Sequence, residues 1–579
     1  MKTEKQFDRR NNGNALVITM IMTLAALITL AGIMSWSSGT ARLTARSNQY
    51  ARSVAAAEAG TEKVLTQLNS DFLSGGEALV MANLASYRQI VPTSSDSSYW
   101  ANWQFKDPGG NIGRTYIYSA SVSNFSVVTG SYAGLYGFVS TYNVVSDASE
   151  ITDLQQVVAG VLQQIQLTRI PVFQFGMYSS DDMEISCGEP FFVDGPVHSN
   201  GSLYVEPDNV MVFGAPVSAV KNVLFQREPA DPRGPPVGSV VYMQGAISNA
   251  AVLTLPIGTA NTSAAIQQII QPPPAGEVPT SSLGRVRYYN QVDMIITVSA
   301  AGISATSGRF NSFMTTIPTN EVALFASITN SFIDWREAQK NVRPIDIDVG
   351  MLTKWSATNK NLRLAMGSRD VSSIYVYDKR VGSSSTLPAV RLWDGMVLPS
   401  LGLTVATFEP LYVWGNYNQT NAANLNTTNT ITTRPASLVA DAVTILSSAW
   451  TDAKSNGALP SRNPAVSNTV NAAIIAGSVY TTAAGYSGGM ENFPRFLEDW
   501  SAATFTYNGS MVKMFASVYA TNVWGQANVY NPPTRNWYFD PNFTVAALLP
   551  PLTPSLQTIT RSQWATLAAN QTVATNTVW

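Results

Sequence analysis

The run Ala15–Trp36 is 22 residues long and carries no charge. As an α-helix it spans about 33 Å, enough to cross a hydrocarbon layer of about 30 Å. Lys2, Lys5, Arg9 and Arg10 precede it, and Arg42, Arg46 and Arg52 follow. This bias favours a cytoplasmic N-terminus only slightly. A secretory signal is the alternative, with Leu30–Gly32 ("LAG") as a small-residue cleavage site. Apolar cores of such signals run about 7–15 residues, and this one is longer.

The pattern beyond the apolar run argues against a discarded signal. Leu43, Tyr50, Ala57 and Val64 recur every seven residues, and Ser47, Val54, Thr61 and Leu68 form a second row four residues further on. Such rows make one weakly apolar stripe along a helix. No proline lies between Ala15 and Phe72, and Gly32, Gly39 and Gly60 are isolated. One helix of roughly 60 residues, about 85 Å long, is predicted, lipid-soluble in its first part and amphipathic in its second.

A basic leader, Gly13 before the apolar segment, and "AAAEAG" at Ala55–Gly60 together resemble the N-terminal region of PilX-type minor pilins and related pseudopilins. The resemblance covers about 60 residues. It implies cleavage between Gly13 and Asn14 by a prepilin peptidase in the inner membrane, then packing of the helix among other pilin-like subunits. Glycine suits such a cut, because a residue without a side chain enters a protease cleft in extended form. Major pilins carry a glutamate five residues after the cut, where this chain has Ile18, a departure that points to a minor subunit. Ala25, Ala26, Ala31 and Gly32 are the small residues expected to let neighbouring helices approach closely.

Only 12% of residues are charged and the net charge is −2. With basic residues scattered, no nucleic-acid footprint is present. Serine, threonine, asparagine and aromatics suit a β-rich protein outside the cytoplasm. "RTYIYSASV" and "GLYGFVSTYNVVSDASE" alternate as antiparallel strands, and "ITDLQQVVAGVLQQIQLTRIPVFQFGMY" continues as a long strand. The expected fold is α+β, mainly β: a spine helix, a pilin-like sheet, then a sandwich or β-solenoid-like region. Its expected divisions are a leader 1–13, a helix 14–72, a head 73–170, and β-rich domains 171–400 and 401–579. No strict repeat period is apparent. "REPADPRGPPVG" and "QPPPAGEVPTSS" read as loops. "TNEVALFASITNSFIDWREAQKN" reads as a helix from near Asn320, "RPIDIDVGMLTKW" as strand then helix, and "GLTVATFEPLYVWGNYN" (Gly402–Asn418) as a strand pair. The order of motifs from Pro171 to Pro554 resembles large bacterial proteins that join such an N-terminus to a β-rich ectodomain, a likeness that implies no activity.

Candidate chemistry is sparse. His198 is the only histidine and Cys187 the only cysteine, which excludes a zinc site of the usual Cys/His kind and an intrachain disulfide. His198 is expected at a turn or strand edge, and Cys187 as a small buried residue. Asp181, Asp182 and Glu184, or Asp346 and Asp348, offer oxygens for calcium but match no EF-hand loop. Solvated strand-edge acids are the expected reading. Trp414 and Tyr417 suit either a sugar platform or cross-strand packing, and packing is favoured. "MENFPRFLEDW" reads as a short helix with Glu491, Arg495 and Glu498 in local ion pairs. No catalytic, cofactor or metal residue is assigned. The sequence is read as a non-enzymatic pilin-like subunit of a type IV pilus or type II secretion-like filament. It would sit in the inner membrane with its C-terminal part outside the cytoplasm, displaying a large domain to a surface or secreted cargo. The rivals are a membrane-anchored hydrolase acting on polysaccharide, which needs two converging carboxylates, and a static envelope scaffold.

Overall fold

The computed structural model describes residues 12–128, 130–151, 157–307, 315–525 and 528–567. Helical structure runs Asn12–Ala82, with the long helix passing a few residues beyond the expected end at Phe72. The helix breaks within "SGG", as the sequence suggests: Gly76 takes the non-helical φ 68°, ψ −168°, and a short second helical segment follows to Ala82. Only glycine reaches that backbone region without strain.

The second half of the helix lies on an antiparallel sheet. Trp103–Lys106 and Tyr116–Val127 pair end to end with the long strand Tyr136–Glu150, which pairs with Ala159–Pro171. The last strand is Ser555–Thr566, from the far end of the sequence. Val64, Leu68 and Phe72 pack on Ile117, Tyr142, Val144, Ile165 and Leu167. Ala56 and Ala57 pack on Trp103, Phe105 and Val161. Gly60 lets helix and sheet close up, because a Cβ there would lie 2.5 Å from Ser146 Oγ.

Ser555 pairs with Pro171, so residues 172–554 leave the head sheet and return to it between adjacent strands. They form a three-sided parallel β-solenoid. One side is a twelve-stranded sheet whose order does not follow the chain. The chain enters in the middle at Met177–Ser179 and winds to one end through Val197–Ser199, Val217–Ala219 and Ala246–Ile247. An arm containing short helices at Ser263–Gln267, Ser282–Val286 and Tyr288–Gln291 then leads back. Its Ile266, Ile269, Ile270 and Tyr288 cover the outer face of the sheet. From Met294–Ser299 the chain winds towards the middle through Ser373–Asp378, Leu403–Thr407, Ala436–Val439, Ala473–Ser478 and Met511–Ala516. That last strand docks in parallel on the first, Met511 opposite Met177. One apolar core runs through both halves, from Met177 and Met183 to Met511 and Trp537.

Several expectations are corrected. The first coils do have a period: Met177 pairs with Val197 and Val197 with Val217, each 20 residues apart. Position 400 marks no boundary, because Ser373–Asp378 and Leu403–Thr407 are neighbours in one sheet. Residues 555–566 belong to the head and not to a C-terminal domain. The helix expected near Asn320 is only Thr319–Val322. Ala326–Ile328 and Phe332–Asp334 follow as strands, paired with Lys340–Asp348. There the β-ladder outcompetes local helix propensity. "MENFPRFLEDW" gives a 3₁₀ turn, Met490–Asn492, and a strand, Arg495–Phe496. "RPIDIDVGMLTKW" is strand then helix as read, with Asp348 accepting from Met351 N at 2.8 Å as N-cap.

Candidate functional site

The largest feature without a partner in the fold is the first half of the long helix. Every residue from Asn14 to Asn48 is exposed, including Leu16, Leu27, Ile28 and Trp36. By length and composition this segment can cross a membrane. Its hydroxyls suit such surroundings. Thr19, Thr23, Thr29 and Thr40 each donate to the carbonyl four residues back, at 3.0, 2.6, 2.8 and 2.9 Å. A polar group satisfied by its own helix loses little in lipid.

Ala25, Ala26, Ala31 and Gly32 all lie in this exposed half, but not on one face. At about 100° per residue, Ala25 and Gly32 align, with Gly39 a further seven residues on, whereas Ala26 and Ala31 flank that line on opposite sides. A Cβ on Gly32 or Gly39 would meet nothing within 4 Å. The Gly13–Asn14 bond lies in helical backbone, beside the point where the described residues begin. Of the expected leader 1–13, residues 1–11 lie outside the described residues.

From residue 49 the helix hands over to protein contacts. The expected stripe is buried at Ala57, Thr61, Val64 and Leu68, while Leu43 and Ser47 are exposed. Tyr50 donates to Leu567 O at 2.7 Å, and Ser53 to Val157 O at 2.8 Å. Glu62 accepts from Arg561 at 2.6 Å and Gln163 at 3.2 Å. Asp71 collects Tyr87, Asn83 and Gln67 at 2.7, 2.8 and 3.0 Å. These bonds fix the helix to the head without touching its exposed half.

The solenoid accounts for the other candidates. Asp181, Asp182, Glu184 and Glu228 line a cavity of about 290 Å³ where its two halves meet. Each carboxylate there is engaged. Asp181 holds Lys513 at 2.8 Å and Tyr480 at 2.6 Å. Asp182 accepts from Ser202 N at 2.7 Å, Glu184 from Thr481 at 2.5 Å, and Glu228 from Ala230 N at 2.6 Å. Burial pushes Glu184 up to about 7. Burial works against ionised Asp181 too, but Lys513 and Tyr480 hold it below its ordinary value. Asp346 is taken by Arg391 at 2.8 Å, and Asp348 is the N-cap. Among the described residues no cluster of three or more His, Cys, Asp or Glu is placed to hold a metal ion.

His198 lies inside a strand, fully buried and not at an edge. It stacks on Tyr178, bonds Ser218 at 2.9 Å, and is pushed down to about 4 by burial. Cys187 is buried and unpaired, its thiol pushed up to about 12 by burial first and Glu491 second. Tyr417 is core, and Trp414 stacks against the Arg391 guanidinium at 4.9 Å. Arg495 pairs at 2.6 Å with distant Glu337, while Glu491 and Glu498 accept from neutral groups.

No protein-family model matches the chain, and no curated protein matches it. Among solved structures it is similar to the competence-associated pilin ComZ from Thermus thermophilus. That likeness has 8% identity and a TM-score of 0.28, and covers 90% of this chain and 97% of that one. A TM-score so low carries no argument about fold or function.

Proposed function

We propose that this chain is a minor pilin-like or pseudopilin subunit, whose helix first anchors it in the inner membrane and then packs among other subunits in a filament. The solenoid is the displayed part, and display rather than catalysis is its role. One observation carries the reading: a long helix that is exposed from Asn14 to Asn48 and uncharged from Ala15 to Trp36, and that then buries one face on an antiparallel sheet. A plain anchor has no need of a rigid continuation into a folded head. A spine does, because subunit packing must be transmitted to the domain it carries. A domain of 383 residues, 172–554, is too bulky to repeat at every position of a narrow filament, which suits a tip or low-abundance subunit. A prepilin peptidase would cut between Gly13 and Asn14.

The test uses the full chain in its own cells. N-terminal peptide mass should give a start at Asn14. Ala26→Leu and Gly32→Leu should insert in the membrane normally, since leucine is at least as lipid-soluble. Both should be lost from sheared surface filaments, because small residues permit close helix approach. Gly32 has open space around it within the subunit, so the loss would come from between subunits. A start at Met1, or variants sheared like wild type, would refute the proposal.

A further inference from the structure

Beside the strand Ser373–Asp378 the solenoid carries an open groove of about 780 Å³, within the range of ligand sites. Val376 pairs with Thr407 across adjacent coils, so the next residues, Tyr377 and Phe408, stand at equivalent corner positions. Both line the groove, and Tyr519 joins them, its ring 5.2 Å from Phe408 and edge-on to it. None of the three is fully buried. The solenoid corner thus presents a short aromatic row.

Charge in the groove is one-sided. Lys340 and Lys379 line it, and neither has a carboxylate within ion-pair distance among the described residues. Lys379 Nζ lies 5.3 Å from the centre of the Tyr377 ring. The two acids of the lining are already used. Asp378 is clasped by Arg380 at 2.7 Å, and buried Glu409 accepts from Thr407. Burial pushes Glu409 up to about 7, so much of its charge is suppressed near neutrality. Gln271, Ser383 and Thr386 add neutral hydrogen-bonding groups.

We propose that this groove binds an acidic polysaccharide, with uronate-type carboxylates on Lys340 and Lys379 and sugar faces against Tyr377, Phe408 and Tyr519. Unpaired cations select an anionic ligand over a neutral one. Aromatic faces beside hydroxyl and amide groups suit a sugar, which has apolar faces and a polar rim. A nucleic acid would call for an extended basic track, whereas the groove offers two lysines without carboxylate partners and the whole chain is at −2. The inference goes beyond the filament reading and does not need it, since purified chain would bind whether or not it polymerises.

The experiment measures binding by full-length protein in detergent, using oligogalacturonate, its methyl-esterified form and single-stranded DNA as probes. Oligogalacturonate should bind, weaken steeply as salt rises, and outcompete both other probes. The Lys340→Ala/Lys379→Ala variant should weaken it about tenfold or more, the scale of a lost charge-assisted hydrogen bond. Tyr519→Ala should weaken the acidic and esterified oligomers alike. Neither lysine is fully buried, so the double variant should keep wild-type thermal unfolding, and the unfolding curve verifies that it is folded. No binding of the acidic oligomer, equal binding of the esterified one, preference for DNA, or indifference to the lysine variant would overturn the proposal.

Discussion

Replacing Asp147 by Asn should stabilise the head at alkaline pH and leave it unchanged in acid. Asp147 is 2% exposed, and neither carboxylate oxygen has a hydrogen-bond partner among the described residues. It sits opposite Gly160 in the sheet, whose absent side chain leaves it room. Burial, and then the charge of Asp107, push it up to about 7, with Lys106 offsetting part of this. The unfolded chain ionises near 4, so folding is unopposed by this group below about pH 4. Stability then drains away as pH rises from about 4 to about 7, and the loss is constant above that. Raising the carboxyl from about 4 to about 7 corresponds to about 4 kcal/mol at pH 8. Asparagine keeps the shape and cannot ionise. Urea unfolding of the full chain in detergent, followed by proteolysis and read from head-sheet peptides, compares the two proteins at pH 4 and pH 8. The variant should need more urea than wild type at pH 8, and the two should converge at pH 4. An offset of the same size at both pH values would refute the argument, because a neutral replacement would then matter for packing and not for charge.

Two further outcomes follow from the solenoid. Gly402 has φ 88°, and a Cβ there would collide with the Pro435 carbonyl. Gly402→Ala should therefore cost about 3 kcal/mol or more, read as a lower urea midpoint for solenoid peptides, and an unchanged midpoint would refute the strain. Joining Pro171 to Ser555 by a short turn should leave a chain that still folds as helix and sheet, because Val64, Leu68, Phe72, Tyr142 and Ile165 contact one another within the head. Loss of protease resistance across residues 49–150 would show that the head depends on its insert.

The spine was readable because one strong period and one uncharged run persist over many turns. Burial at Ala57, Thr61, Val64 and Leu68 follows the predicted rows. The upper rows failed at Leu43 and Ser47, which nothing among the described residues covers. The solenoid was harder. Its 20-residue period was present in "DGPV" and "GAPV", which place Val197 and Val217 in register. The next turn breaks it, since Met211 pairs with Val240, 29 residues on, across the proline-rich loop. The other half never repeats at all: Ser373 pairs with Thr404, Thr404 with Ser437, and Ser437 with Ala473, at spacings of 31, 33 and 36. Coil corners in this fold tolerate insertions, so sequence period is lost while the ladder persists. The groove was invisible for a related reason. Lys340, Tyr377, Phe408 and Tyr519 meet only through coil stacking and a late loop, with no local spacing to join them.

The place where the solenoid is inserted has a mechanical consequence. A domain hung on one flexible linker would swing, and its orientation would carry no information about the spine. Here two neighbouring strands, Ala159–Pro171 and Ser555–Thr566, carry the chain out and back. The head's Ile170, Tyr132 and Leu556 share a core with the solenoid's Val172, Phe173, Val512 and Met514. Gln174 donates to Phe543 O at 2.7 Å, and Thr254 bridges Gln557, which ties the entry, the exit and the return arm together at one level. Pulling the solenoid away from the helix would have to shear a full-length antiparallel ladder while opening an apolar core. Either alone is resisted by many contacts acting at once, whereas a linker resists only by its entropy. Because the chain enters at mid-solenoid, coils extend to both sides of the attachment, and the lever arm on either side is shorter than if the same coils hung from one end. A chain built this way holds the solenoid at a fixed orientation to the helix.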